Sequence, residues 1–203
     1  MDTVNSKKKG FTLVEILIVL TIISLVVLLG FSSYGFAQKK IRLDIAANSV
    51  QSLISEARDK TKAGYYESSS DAVEAKSLCY GFKAYPGGGV ELLTTPYDPI
   101  KTTEKCSLNL NNIIVVKKPE TSNDIILKKV EMFGAEQADP VIVFFQPPNA
   151  EIEFTSMNLT SDPVMKLNVG YSNSDNIQDQ RQVVFNVLTG NVKLQLLNEN
   201  NED

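Results

Sequence analysis

The chain has 203 residues, of which 43% are hydrophobic and 22% are charged, and this balance is typical of a folded protein. Its formal charge at pH 7 is −4, and it contains no histidine. Because the body has no basic excess to attract phosphate backbones, we expect no nucleic-acid partner. Because the commonest general base and metal ligand is missing, we expect no enzymatic activity and no catalytic residues.

A basic leader followed by a long apolar run opens the chain. Lys7, Lys8 and Lys9 precede Gly10, and the stretch "ILIVLTIISLVVLL" at residues 16–29 carries no charge. At about 1.5 Å per residue, a helix over residues 11–31 reaches across a hydrocarbon layer of about 30 Å. The run therefore predicts a single transmembrane helix in contact with membrane lipid.

Composition alone does not decide the orientation of this segment in the membrane or whether it is a cleaved signal peptide. Basic residues flank both ends of the run, so the positive-inside rule does not decide its orientation. A cleaved secretory signal peptide is the competing interpretation. The length of the run and the absence of a nearby small-x-small cleavage site disfavour that alternative.

Helical periodicity continues beyond the apolar run, over residues 32–63, and Gly64 is a candidate stop. The stretch "GFSSYGFAQ" weakens the helix locally and can allow a kink. An apolar stripe recurs at spacings near three and four, which predicts an amphipathic helix in need of a partner surface. The stripe consists of Ile41, Ile45, Val50, Leu53, Ile54 and Ala57.

Strand and turn signals dominate residues 64–203. The stretch "CYGFKAY", a proline and three glycines, and "VELLTT" together predict a hairpin. Further strands are predicted at "NIIVVKK", "DIILKKVEMF", "PVIVFFQPP", "EIEFTS" and "VMKLNVGY", with a closing hairpin around Thr189-Gly190. A long helix followed by strands predicts an α+β fold. We expect one antiparallel sheet to pack its apolar face on Ile45, Val50, Leu53 and Ile54.

The two cysteines, Cys79 and Cys106, lie in this β domain. In an exported body they predict a disulfide, and closing a loop of about 28 residues is worth roughly 3.5 kcal/mol. In a cytosolic body they would be two buried thiols.

One loop gathers oxygen ligands of the kind that calcium prefers. Asp175, Asn176 and Asp179 cluster in "NSDNIQDQ", but their spacing does not follow the EF-hand pattern. A solvated loop is the favoured interpretation, so we expect no cofactor and retain calcium only as the alternative.

The N-terminus resembles that of type IV prepilins and type II secretion pseudopilins. The resemblance rests on "KKKG" followed by "FTLVEILIVLTIISLVVLL". It implies that prepilin peptidase cleaves after Gly10, removes the leader of residues 1–10 and N-methylates Phe11. It also implies that the charged leader, Lys7 to Lys9, lies in the cytosol and that the body is exported.

The resemblance gives Glu15 a role in assembly. Cleavage creates a positive amine on Phe11, four residues away, and the carboxylate can pair with that amine in its own chain or in a neighbouring subunit. The alternative is a solvated carboxylate at headgroup level.

The implied function is that of a structural subunit of a type IV pilus or a secretion pseudopilus, with a minor subunit favoured. Its partners would be other pilin subunits and an inner-membrane assembly platform, and its final location an extracellular or periplasmic filament. The alternative is a membrane-anchored binding module or adhesin that does not polymerise.

Overall fold

The computed structural model describes residues 10, 12–64, 66–67, 76–100, 105–107, 110–119, 124–154 and 164–197. It divides into two compact units, the first ending at Ile41 and the second beginning at Arg42. The first unit contains the N-terminal part of a long helix. The second contains the rest of that helix and all the strands.

Helix α1 runs from Leu13 to Lys62, close to the predicted end at residue 63. It is uninterrupted through "GFSSYGFAQ". It ends where Gly64 adopts a φ of 63°, a left-handed conformation that glycine accepts readily, and the amide of Gly64 donates to the carbonyl of Thr61 at 3.2 Å. The membrane-spanning helix predicted over residues 11–31 is not confirmed, because no helix among the described residues is apolar over a sufficient length to cross a membrane.

Strands occupy the described parts of the chain after the helix. They are β1 (Tyr66–Glu67), β2 (Lys76–Ala84), β3 (Val90–Pro96), β4 (Ile114–Lys117), β5 (Ile125–Met132), β6 (Ala135–Glu136), β7 (Val141–Gln146), β8 (Glu151–Phe154), β9 (Val164–Tyr171), β10 (Gln180–Asn186) and β11 (Asn191–Leu196). Each predicted strand has a counterpart, and the two-residue strands β1 and β6 were not predicted.

The described strands are antiparallel and pack with the long helix, so the predicted α+β fold is confirmed. They form two sheets, so only the expected number of sheets, one, is wrong. The first sheet has the order β4-β3-β2-β7-β8, with β1 added beside β2, and the second has the order β11-β10-β9-β5-β6. The chain enters the second sheet at β5, returns to the first for β7 and β8, and goes back for β9 to β11. Local alternation marks each strand but carries no information about which distant strand it pairs with.

Both predicted hairpins are present. Strands β2 and β3 pair through a turn in which Gly87 has a φ of 76°, and β10 and β11 pair through a turn in which Gly190 has a φ of 66°. The β2–β3 turn also joins the two sheets. The amide of Gly87 donates to the carbonyl of Leu127 on β5, and the amide of Leu127 donates to the carbonyl of Gly88, both at 2.8 Å.

The main core of the second unit lies between one face of α1 and the two sheets. Rings from both sheets meet there: Phe185 on β10 lies 5.5 Å from Phe82 on β2 and 6.0 Å from Phe145 on β7, centroid to centroid, in edge-to-face geometry. The helix contributes a face with a strict three-and-four spacing. That face is made of Leu43, Ala46, Ala47, Val50, Leu53, Ile54 and Ala57.

The predicted helix stripe is partly wrong. Val50, Leu53, Ile54 and Ala57 are buried, but Ile41 and Ile45 are 57% and 58% exposed. Positions 46 and 47 are buried in their place, and both are alanine. Small side chains let the sheets approach the helix closely, so the buried face is not the one with the largest aliphatic residues.

A second, smaller apolar cluster lies on the other face of the first sheet. It contains Cys79, Leu93, Cys106, Ile142 and Phe144, with Tyr97 and Ile113 packed against it. Alternate residues of β2, β3 and β7 therefore point into two different cores, which explains why β7 reads as a continuous apolar run.

Candidate functional site

Gly10, the residue at the expected cleavage site, is exposed and precedes the helix. A Cβ built on Gly10 meets no atom within 4 Å, and its φ lies outside the left-handed region. The packing of the chain therefore does not require a glycine at this position. Lys7, Lys8, Lys9 and Phe11 lie outside the described residues.

Helix α1 begins with a cap that the sequence interpretation missed. The hydroxyl of Thr12 accepts a hydrogen bond from the amide of Glu15 at 3.2 Å, and the carbonyl of Thr12 accepts from the amide of Ile16 at 3.2 Å. The stretch Thr-Leu-Val-Glu is a capping-box pattern, and that signal could have identified Thr12. Since α1 starts at Leu13, the bond between residues 10 and 11 precedes its first turn.

Glu15 is exposed and lies in the first turn of α1. A carboxylate at that place stabilises a helix through the positive end of its dipole, typically by about 0.3–1 kcal/mol. The local role of Glu15 in starting the helix is therefore compatible with a second role for its charge, because the cap uses the backbone amide and leaves the carboxylate exposed.

The first unit exposes apolar side chains on every side of the helix. From Leu13 to Leu28 the large hydrophobic residues are 47–79% exposed. These exposed hydrophobic residues are Leu13, Val14, Ile16, Leu17, Ile18, Val19, Leu20, Ile22, Ile23, Leu25, Val26, Val27 and Leu28. A helix that is hydrophobic all round needs burial against protein or lipid.

The predicted disulfide between Cys79 and Cys106 is present. Their Cα atoms lie 5.8 Å apart, and both residues are fully buried in the smaller cluster. The bond ties β2 to the segment after β3, which covers the outer face of the first sheet.

Glu153 on β8 holds the same segment in place. Its Oε2 accepts hydrogen bonds from the amide of Cys106 at 3.0 Å and from Nε2 of Gln146 at 2.6 Å. Sequence reasoning had no signal for this contact, because the two residues are 47 positions apart.

The calcium candidates form a loop whose oxygens bind protein donors. Oδ1 of Asp175 lies 3.0 Å from Nζ of Lys128, Oδ1 of Asn176 accepts from the amide of Gln178, and Oδ2 of Asp179 accepts from the hydroxyl of Ser174. In the described part of the chain, no three His, Cys, Asp or Glu side chains are grouped so that they could hold a metal ion. We therefore do not propose calcium binding here.

Two ion pairs attach the end of β4 to the body. Glu56 on α1 lies 2.9 Å from Lys60 and 3.1 Å from Lys117, and hydrogen bonds from these two lysines lower the pKa of the Glu56 carboxyl despite partial burial. Lys118 lies 2.7 Å from Glu91 on β3, and the hydrogen bond that its ammonium donates to that carboxylate raises the pKa of Lys118.

One comparison with known proteins identifies the N-terminal segment. Residues 5–31 match the family model described as "Prokaryotic N-terminal methylation motif". No curated protein and no solved structure is detectably similar to the chain. The match covers Gly10, Phe11 and Glu15 and ends where the predicted membrane segment ends. Residues 5–31 of this chain are therefore similar to the prokaryotic N-terminal methylation motif, the signal motif of type IV prepilin-like proteins.

Proposed function

We propose that this chain is a prepilin whose mature form is a structural subunit of a filament. The observation that carries the proposal is the methylation motif at residues 5–31. Prepilin peptidase would cut between Gly10 and Phe11, remove residues 1–10 and methylate the new amine. The exposed position of Gly10 ahead of the helix supports access by a peptidase.

The apolar surface of the first unit supports two successive locations for the subunit, first the membrane and then the filament. Residues 11–31 would first anchor the exported body in the membrane, with the leader in the cytosol. They would then pack against the same segment of other subunits, guided by an inner-membrane assembly platform. In both environments the exposed side chains from Leu13 to Leu28 leave water, which is the favourable direction for apolar surface.

Glu15 would set the register of this packing. A carboxylate on an otherwise apolar helix is costly in lipid unless it meets an opposite charge. The amine of Phe11 on the next subunit would supply that charge, and the pair would form only when the two helices are correctly staggered. Because Thr12 caps the helix through the backbone amide of Glu15, the carboxylate is available for such a partner.

The body would cover the outside of the filament, with residues 32–63 as its helix and residues 64–203 as its β domain. The disulfide supports a location outside the reducing cytosol. A type IV pilus and a type II secretion pseudopilus both use this motif.

The proposal is tested by mass spectrometry of the protein recovered from membranes of cells that contain prepilin peptidase. We expect a chain that begins at an N-methylated Phe11. A Gly10→Val variant should fold normally, since the chain has open space there, but should keep its leader. A mature protein that still begins at Met1, or one that never enters a filament and only anchors a binding module, would overturn the proposal.

A further inference from the structure

Among the residues that the structure describes, strand β4 is an apolar edge of the first sheet with no strand beyond it. It is the outermost strand on one side, and Ile114, Val115 and Val116 are all exposed. Its pairing to β3 is short and contains a β-bulge between Leu92 and Leu93. Natural proteins usually cover such edges or place charges on them, and an uncovered one is a site for strand pairing.

The basic residues Lys117 and Lys118 follow this apolar stretch, and they border a groove beside α1 of about 600 Å³. Their side chains are 57% and 67% exposed although each is paired with a carboxylate. The β4 edge is therefore apolar at one end and basic at the other.

Strand β8 forms the opposite edge of the same sheet and has the opposite charge. It begins with Glu151, which is exposed, and continues with Ile152 and Glu153. Ile152 lies opposite Phe145 and packs against the main core, whereas Glu151 and Glu153 occupy the other face.

The faces of the two edges match. Val115 lies opposite Leu93, a member of the smaller cluster, so Val115 is on the outer face. Lys118 is on that face too, because it pairs with Glu91, which alternates with the inward-facing Leu92. Ile114 lies opposite Thr94 on the inner face, the same face as Ile152. Joining the edges would bring Lys118 towards Glu151 on the outer face and Ile114 towards Ile152 on the inner face.

We propose that the β4 edge of one copy of this chain docks on the β8 edge of a second copy, so that the first sheet continues from subunit to subunit. The proposal rests on the function proposed above, since it names a contact between bodies in the filament. Exposed charge favours this partner: the lysines after β4 keep exposed side chains, and β8 presents the exposed carboxylate of Glu151. Pairing β4 with β4 or β8 with β8 would bring like charges together, which disfavours both.

This contact is heterologous, because two different edges meet. Such contacts propagate in an open chain unless the rotation between copies closes a ring, and a filament is the open case. The edges cannot meet within one subunit. Three strands separate them, which places β4 and β8 about 19 Å apart at roughly 4.8 Å per step.

The test uses a full-length double variant, Val115→Cys with Glu151→Cys, in cells that carry the assembly machinery. Both native cysteines are bonded to each other, so the introduced thiols are the ones that react. After treatment with a short bismaleimide, we expect a ladder of covalent multimers. The single variants should give none. Dimers from Val115→Cys alone would show self-pairing of β4 and would overturn the proposal, as would filaments of the double variant that yield no ladder.

Charge reversal supplies an independent measurement. Glu151→Lys should lower the yield of sheared filaments several-fold, whereas Asp139→Lys, an equal change at another exposed carboxylate, should leave it unchanged. Normal yield from Glu151→Lys would contradict the proposed charge match. If the unaltered chain is neither methylated nor assembled, the proposed function fails instead, so the two failures are distinguishable.

Discussion

The guanidinium of Arg181 on β10 is bound to Asp44 on α1, with Nε lying 2.6 Å from Oδ1. The Arg181 side chain is 4% exposed and the Asp44 side chain 41%, so the pair joins a buried cation to a carboxylate at the rim of the core. Nη1 of Arg181 also donates to the carbonyls of Gln178 and Gln180. The pair therefore attaches the helix to the second sheet.

Two further polar contacts repeat this attachment along the helix. Nε2 of Gln51 donates to the carbonyl of Val192 on β11, and Arg58 donates to the carbonyls of Thr189 and Gly190 in the β10–β11 turn. Positions 44, 51 and 58 are spaced by seven, so they share one side of α1. That side follows the hairpin formed by β10 and β11 from its open end to its turn.

Replacing Asp44 by Asn should destabilise the second unit by about 1–3 kcal/mol, because it leaves the buried guanidinium without a counter-charge. The measurement is the thermal unfolding midpoint of the detergent-solubilised chain by circular dichroism. Asp59→Asn is the matched control, since it removes an exposed carboxylate from the same helix. Equal midpoints for the two variants would contradict the structural role of the pair.

Sequence patterns predicted the helix and the longer strands correctly, but they did not predict which elements far apart in the sequence contact each other. The contact of Asp44 shows the reason. Helix length, both hairpins and the remaining longer strands follow from periodicity and turn residues within short windows. The contact between Asp44 and Arg181 joins residues 137 positions apart, and no local pattern encodes it. The same limit explains why one sheet was expected where two are present.

In the candidate site, the N-terminal motif could be predicted because all its residues lie within one short stretch of the sequence. Gly10, Phe11 and Glu15 fall within one matched stretch, and the cap at Thr12 was present in the same letters. The disulfide could be proposed from composition, but its support by Glu153 could not, because that contact depends on how β7 and β8 lie against the segment at Cys106.

Removing the disulfide should lower the free energy of unfolding by about 3.5 kcal/mol, as expected for a loop of this length. The variant is Cys79→Ala with Cys106→Ala, which avoids leaving a lone thiol. Its urea-unfolding curve should agree with that of the unaltered chain under reducing conditions. A double variant as stable as the oxidised parent would show that the smaller cluster holds the segment without the bond.

Neutralising Glu15 should separate membrane insertion from assembly. Glu15→Gln keeps the backbone amide that Thr12 caps, so helix initiation is preserved while the charge is lost. We expect normal amounts of the variant in membranes and at least a ten-fold loss from sheared filaments, read by immunoblot of both fractions. Asp59→Asn, a neutralisation elsewhere on α1, should assemble normally. Equal incorporation of both variants would remove the register role.

The contact between α1 and β4 should weaken in acid. The pKa of Glu56 is lowered in the folded chain, chiefly by the hydrogen bond from Lys60, so the carboxylate stabilises the fold above its unfolded pKa of about 4.5. That contribution is lost as pH falls through the lower, folded pKa. Comparing urea unfolding at pH 7 and pH 3, Glu56→Gln should lose less stability than the parent. An identical loss in both would show that Glu56 is not among the groups that titrate on unfolding.

The seven-residue spacing of Asp44, Gln51 and Arg58 has a mechanical consequence. A pull along the axis of α1 from its Arg42 end would slide the helix past the β10–β11 hairpin, and all three attachments would be strained together. Because the three attachments are loaded at the same time, each one bears only part of the pulling force. If they were loaded one after another, each would bear the whole force in turn. The β10–β11 hairpin is thus fastened so that it moves together with this part of the helix under such a pull.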